Sequence, residues 1–352
     1  MAKNNSGVIL ITVLWVLAVL SLLALSLRKG ASLELSLIRN NVAELKAYAA
    51  SRAGINYVQQ FLSQNKSEKD TLYQCGIKWT KDQDPQKYFK DVTVAKDTHF
   101  DIVALGSDYG KASKGDAYGI QDEQGKINLN AMDGSNFKVF SHLLQEFDIG
   151  AMDADAMAAA VVDWHSSTTT AFKSIDGAVG AKDDFYMNQS VAYKCKNKPF
   201  DRIEELLLVK GMNDGLFRKI KNFITVFPKN PQGGFKINFN TASDAVIHAV
   251  VKAMTVGLGA DETAQALIRL RNGADNIPMT PDDGILDSSI LSASQQLSVN
   301  ALKASQGIDT SEYFQVSSVG VDESTGIRAT ITAMIHRPQG QGDLSIVAWH
   351  RD

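Results

Sequence analysis

Cysteine is scarce in this chain of 352 residues: only Cys75 and Cys195 occur. No C-x-x-C pair is present, which excludes a zinc ribbon and a thioredoxin-like motif. The two cysteines either pair across a long loop in an oxidising compartment or are unrelated thiols. Histidine is scarce as well, with six scattered residues. No H-E-x-x-H, G-x-S-x-G, P-loop or EF-hand pattern accompanies them, so nothing argues for an enzyme. His99, His142, His248, His336 and His350 read as surface residues of strands or helices. Strong charge is missing too. A net charge of −3 gives no global reason to expect nucleic acid or an anionic membrane surface as partner. Proline is absent from residues 8 to 62, and charge is absent from Val8 to Leu27.

What fills that charge-free stretch is apolar. Of its twenty residues only Thr12, Ser21 and Ser26 are polar. At 1.5 Å per residue it spans the ~30 Å hydrocarbon core of a bilayer. A secretory signal would have a shorter core, about 7–15 residues, and a small-x-small cleavage site, which "LSLRKGASLEL" does not offer. Lys3 precedes the segment and Arg28 and Lys29 follow it, so charge sets the orientation only weakly. The bulk of the chain lies after the segment and is placed outside the cytoplasm. Helical periodicity continues through Leu33, Leu37, Leu45, Tyr48, Ile55, Val58 and Leu62. The expectation is one helix of ~80 Å, half in lipid and half against a globular body.

After residue 63 the pattern changes. "YFKDVTVA" and "HFDIVALG" read as strands, and "AYGIQDEQGKINLNA" as a hairpin turning at Asp122 to Gly125. A helical region follows: "NFKVFSHLLQEFDI", "DADAMAAAVVDWHSS", and two helices in "FDRIEELLLVKGMNDGLFRKIKNFITVFP". Asp201 with Glu204 forms a candidate capping box there, and Thr241 or Ser243 caps the next helix. "EYFQVSSVGV", "GIRATITAMIHR" and "LSIVAWHR" then form an antiparallel meander. The fold class is α+β with an antiparallel sheet; strands, then helices, then strands fit one α/β domain interrupted by a helical insertion, and a tandem of α+β domains fits as well.

Gly7 before the apolar segment, a long unbroken helix and then a soluble body resemble the type IV pilin and pseudopilin family. The resemblance implies a prepilin leader at 1–7, peptidase cleavage between Gly7 and Val8, N-methylation of Val8, and a retained transmembrane helix at 8–27. The family usually has glutamate at the fifth mature position; here it is Thr12. That departure, and the size of the chain, resemble the K-type minor pseudopilins of type II secretion. "GKINLNA" (125–131), the Asp163–Trp164 pair, "GAKDDFYM" (180–187), "PFDRIEELLLVKGM" (199–212) and "INFNTAS" (237–243) fit the same family in order. It implies a pseudopilin α/β domain at 28–125 plus 306–352 and an all-α insertion at 126–305 with helix-hairpin-helix-like elements. It further implies I- and J-type minor pseudopilins and prepilin peptidase as partners, and an inner-membrane, single-pass location with the C-terminal bulk in the periplasm.

Two alternatives stand beside this reading. The hairpin-like elements suit a membrane-tethered DNA-binding protein of an uptake system. Residues 199 to 228, however, carry five basic groups against four acidic ones, a thin balance for phosphate binding. Asp163, Asp183 and Asp184, with Asp176 between, are oxygen donors of the kind calcium uses. Some K-type members carry calcium in this part of the fold, although His165, Ser166 and Ser167 depart from the acidic pattern expected after the tryptophan. The plain reading is a solvated loop with helix-capping aspartates. No cofactor is required.

Overall fold

The long helix α1 runs over Ser6–Gln64 without a break, about 90 Å at the standard rise. Its polar side chains do not compete with the helix. Thr12 Oγ1 donates to Ile9 O and Ser21 Oγ to Leu17 O, each at 2.8 Å. This computed structural model describes residues 6–64, 69–72, 86–104, 118–255, 259–284, 286–340 and 342–351. Cys75 and most of the polar stretches near 65–85 lie outside the described residues.

After α1 come α2 (Gln86–Phe89), β1 (Val92–Ala95), β2 (Thr98–Val103), β3 (Gln121–Asp122) and β4 (Ile127–Asn128). The helical part follows with α3 (Lys138–Gln145), α4 (Ala151–His165), α5 (Asp183–Tyr186), α6 (Asp214–Ile220), β5 (Ile224–Thr225), α7 (Asp244–Met254), α8 (Ala260–Arg271) and α9 (Ala293–Gln306). The chain closes with β6 (Tyr313–Asp322), β7 (Ile327–His336) and β8 (Ser345–Arg351). The main sheet is antiparallel in the order β1-β2-β6-β7-β8, and β3 pairs with β6 beside β2. The expected meander is present. Its first turn forms because Asp322 Oδ2 accepts from Ser324 Oγ (2.6 Å) and Thr325 Oγ1 (2.7 Å) while Gly326 takes a φ of +73°.

Two hydrophobic cores result. One joins the lower part of α1 to the sheet through Ile55, Val58, Leu62, Phe100, Phe314 and Ile331. The other lies within the helical region, where Phe140, Leu143, Val161, Trp164, Ile247 and Leu267 are buried together. Ser243 caps α7 by accepting from Val246 N. Arg271, wholly buried at the end of α8, donates to Ala242 O and Asp244 Oδ1 at 2.6 Å each. That tie holds α8 against the start of α7.

Three sequence expectations are corrected. The segment 117–131 is not a hairpin: β3 pairs antiparallel with β6, whereas β4 pairs in parallel with β5. Each half finds its partner far along the chain, which local turn chemistry does not register. Tyr88 and Phe89 belong to α2, so the first strand starts only at Val92. The segment Ile203–Leu208 is a 3-10 helix with Arg202 at its N-cap and no side-chain cap bond. Asp201 does not cap it, because its carboxylate is held by Lys196 and Lys229 at 2.8 Å each.

Candidate functional site

The first candidate region is the exposed half of α1. Ile9–Ser26 is the one span among the described residues long and apolar enough to cross a membrane, and none of it is buried. This fits a single-pass membrane anchor. Gly7 and Val8 lie in its first turn, with nothing within 4 Å of a Cβ at Gly7. Thr12 satisfies its hydroxyl inside its own helix, so this position places no carboxylate in lipid. Beyond the span the apolar exposure continues: Leu37 is 63% and Leu45 67% exposed. The face docked on the sheet is made instead of Ala43, Ala47, Ala50, Ser51, Gly54, Ile55, Val58 and Leu62. Leu37 lies before the docked stretch and Leu45 lies off the docked face, whose small residues let the sheet approach closely at Ala47, Ser51 and Gly54.

The second region is the junction through which the chain enters and leaves the helical insertion. Asp122 is buried there. Its Oδ2 accepts from Thr241 Oγ1 and Ser311 Oγ (2.6 Å each) and from Asn238 Nδ2 (3.2 Å), and its Oδ1 accepts from Gln124 N. Asp70 beside it accepts from Arg337 Nη2 (2.5 Å) and Ser311 N (2.6 Å). Glu123 receives Lys126 Nζ and Thr225 Oγ1, both at 2.5 Å. The "INFNTAS" and "GKIN" segments thus meet as one polar lock. A cleft of about 690 Å³ opens next to it, between residues 201–229 and the sheet face bearing Gln315, Met334 and Ala348.

Burial, reinforced by Asp70, pushes the Asp122 carboxyl up to about 6, and burial pushes Asp283 up to about 7. Both are raised above their unfolded values, so both groups gain protons on folding. Their stabilising contribution is complete below about pH 4 and is lost as pH rises through 6 and 7. The expected result is a melting temperature that falls between pH 5 and pH 8. Asp122→Asn should flatten the slope, since the Asp122 shift is worth on the order of 3 kcal/mol.

The third region contains Asp163, Asp183 and Asp184, and the structure does not gather them into one ligand set. Asp163 is buried, and both its oxygens accept from Phe172 N at 3.0 Å. Gly180 abuts it so closely that a Cβ would lie 2.0 Å from Asp163 Oδ2. Asp183 accepts from Cys195 N at 2.8 Å, and Asp184 is exposed. Asp176 pairs with Lys138 at 3.2 Å. Lys182 is buried, and its Nζ donates to Asp163 O (2.6 Å), Ser166 O (2.8 Å) and Asn197 Oδ1 (2.9 Å). An ammonium group already fills this oxygen cradle, so the residues do not fit calcium, which needs six to eight oxygens. Cys195 is a buried free thiol whose Sγ lies 3.5 Å from Asp163 O. Its potential partner Cys75 is outside the described residues.

Among the residues that sequence reasoning missed are Lys182, read only as part of an acidic turn, and the junction set of Asp70, Asp122 and Arg337. The signal available was "INFNTAS", whose asparagines and threonine are too polar for a loop that is simply buried.

A helix whose first half is exposed and apolar and whose second half lies on an antiparallel sheet is the arrangement that the pilin-like resemblance implies. Residues 125–229 match the family described as type II secretion system, protein K. The type II secretion system protein K of Pseudomonas aeruginosa is 23% identical over 261 residues, 71% of this chain and 69% of that protein. The protein K of Klebsiella pneumoniae is 26% identical over 132 residues, 35% of this chain and 38% of its own. That of Pectobacterium carotovorum subsp. carotovorum is 29% identical over 107 residues, 30% of each. A chain in the crystal structure of the GspK-GspI-GspJ complex from the enterotoxigenic Escherichia coli type 2 secretion system superposes with a TM-score of 0.58. The two share 17% identity, and the match covers 91% of this chain and 99% of that one. The chain is thus similar to type II secretion system protein K, by family match in residues 125–229 and by fold over most of its length.

Proposed function

We propose that this protein is the tip subunit of a short periplasmic filament, helping to initiate its assembly and to limit its length during protein export. In this reading prepilin peptidase cuts between Gly7 and Val8, Val8 is N-methylated, and the helix stays in the inner membrane with the bulk in the periplasm. I- and J-type minor pseudopilins are its neighbours, by analogy with the solved complex of GspK with GspI and GspJ. The observation that carries the reading is α1 itself. Its exposed leucines and valines continue past the membrane span, which suits bundling with other apolar helices. Thr12 brings no carboxylate to pair with a neighbour's amine, which suits a subunit with nothing above it. The insertion adds bulk beside the sheet and would obstruct a further subunit.

The DNA-receptor alternative has less support. In residues 196–229 Lys196 and Lys229 are engaged by Asp201, and Arg218 by Asp214. The neighbouring cleft mixes both signs of charge, with Asp201 and Glu204 beside Arg202 and Lys221. Duplex binding with a steep salt dependence would favour the receptor. The processing reading is tested by the mass of the first peptide of protein recovered from membranes. It should begin at Val8 and carry one extra methyl group; a peptide beginning after Leu27 would overturn the retained anchor.

A further inference from the structure

A cluster at the β1–β2 edge of the sheet has no part in the anchor, the junction or the Lys182 cradle. His99 and Asp101 stand two residues apart on β2, hence on one face of the strand. Asp91 precedes β1 and comes alongside Asp101, its N donating to Asp101 Oδ1 at 2.7 Å. One ligand atom each from Asp91, His99 and Asp101 lies within 4.8 Å of the others. Glu323, just beyond β6, completes the group: its Oε1 is 2.9 Å from His99 Nδ1. Glu323 N is itself fixed by Asp97 O at 2.9 Å in the turn between β1 and β2.

The arrangement has a direction. Glu323 takes the Nδ1 side of the imidazole and so turns Nε2 toward Asp91, whose Oδ1 is 3.7 Å away. Both carboxylates, Asp91 and Glu323, draw on the same ring. Metal-binding histidines are usually oriented in this way, with one nitrogen held by a carboxylate while the other faces the ion. Ligand atoms about 3.3 Å apart suit a tetrahedral ion with ~2.0–2.1 Å bonds. Small side-chain rotations would bring the present spacing to that value. The imidazole nitrogen selects against calcium and magnesium, which prefer all-oxygen shells.

We propose that His99, Asp91 and Asp101 form a binding site for a divalent transition metal of the zinc type, with Glu323 as the positioning residue on His99. The ion leaves a fourth position open to water. It cross-links the start of β1 to β2 within the edge hairpin, and Glu323 ties His99 to the turn after β6. Lys46 of α1 is paired with Asp322 at the end of β6, 3.7 Å apart.

The test uses the untagged full-length protein in detergent, titrated with zinc chloride by isothermal calorimetry. One zinc per chain is expected. His99→Ala and Asp101→Asn should each weaken it by at least about tenfold, and Glu323→Gln by about 10–100-fold. His336→Ala should leave binding unchanged, and excess calcium should not compete. Zinc-edge absorption on the wild-type protein should show a nitrogen and oxygen shell without sulfur, a readout independent of how the variants fold. No saturable binding, binding indifferent to His99→Ala, or a sulfur-containing shell would each overturn the site.

Discussion

Gly320→Val is expected to dislodge α1 from the sheet and to cost about 3 kcal/mol or more. A Cβ at position 320 would stand 1.9 Å from Ala47 O and 2.5 Å from Ser51 N. Both are backbone atoms of a helix, so no rotamer change relieves the clash. The helix must move outward by roughly an ångström, which also opens the contacts of Ile55, Val58 and Phe314. Denaturant unfolding of the full chain in detergent measures the loss, with Val42→Ala on the exposed side of α1 as the comparison. Val42 is 46% exposed, and its truncation should cost no more than about 0.5 kcal/mol. Equal costs for the two variants would show that the close approach of Gly320 to Ala47 contributes nothing.

Lys182→Met should cost about 4 kcal/mol, concentrated in residues 163–197. The ammonium satisfies two buried carbonyls and the Asn197 amide oxygen, and each stranded acceptor costs roughly 1–3 kcal/mol. Burial already pushes the Asp163 carboxyl up, with the Lys182 charge pulling it back. Hydrogen exchange should show these loops opening while the sheet core stays protected. Because the cradle holds its own cation, the chelator EDTA should leave the melting of α4 and its loops unchanged. A chelator-sensitive wild type together with an unaffected Lys182→Met variant would reverse the assignment and restore calcium to this loop.

How much could be read in the sequence depended on the range of the interaction. The unbroken helix was legible because its cause is local: no proline, a charge-free apolar run, and a continuing 3.6-residue period. So were the closing meander and the Ser243 cap. The docked face of α1 was legible in its lower part, where Ile55, Val58 and Leu62 are buried, but not higher up, where the period picks Leu37 and Leu45 over alanine. Only the sheet's approach, allowed by Gly54 and Gly320, decides that Ala43, Ala47 and Ala50 lie inside. The supposed hairpin at 117–131 failed because its halves are claimed by β6 and β5, some two hundred and one hundred residues on. The polar lock was invisible for the same reason. Asp122 meets Thr241 and Ser311, and Asp70 meets Arg337, across separations that no window spans. Lys182 looked like a charged turn residue, and only the fold surrounds it with oxygens.

The proposed function requires α1 to be retained after maturation and to carry the body into a minor-pseudopilin assembly. Native mass spectrometry of complexes extracted gently from cell envelopes tests it most directly. One copy of this chain, beginning at Val8, is expected bound to I- and J-type partners. A chain found alone, or one lacking Val8 to Leu27, would contradict it.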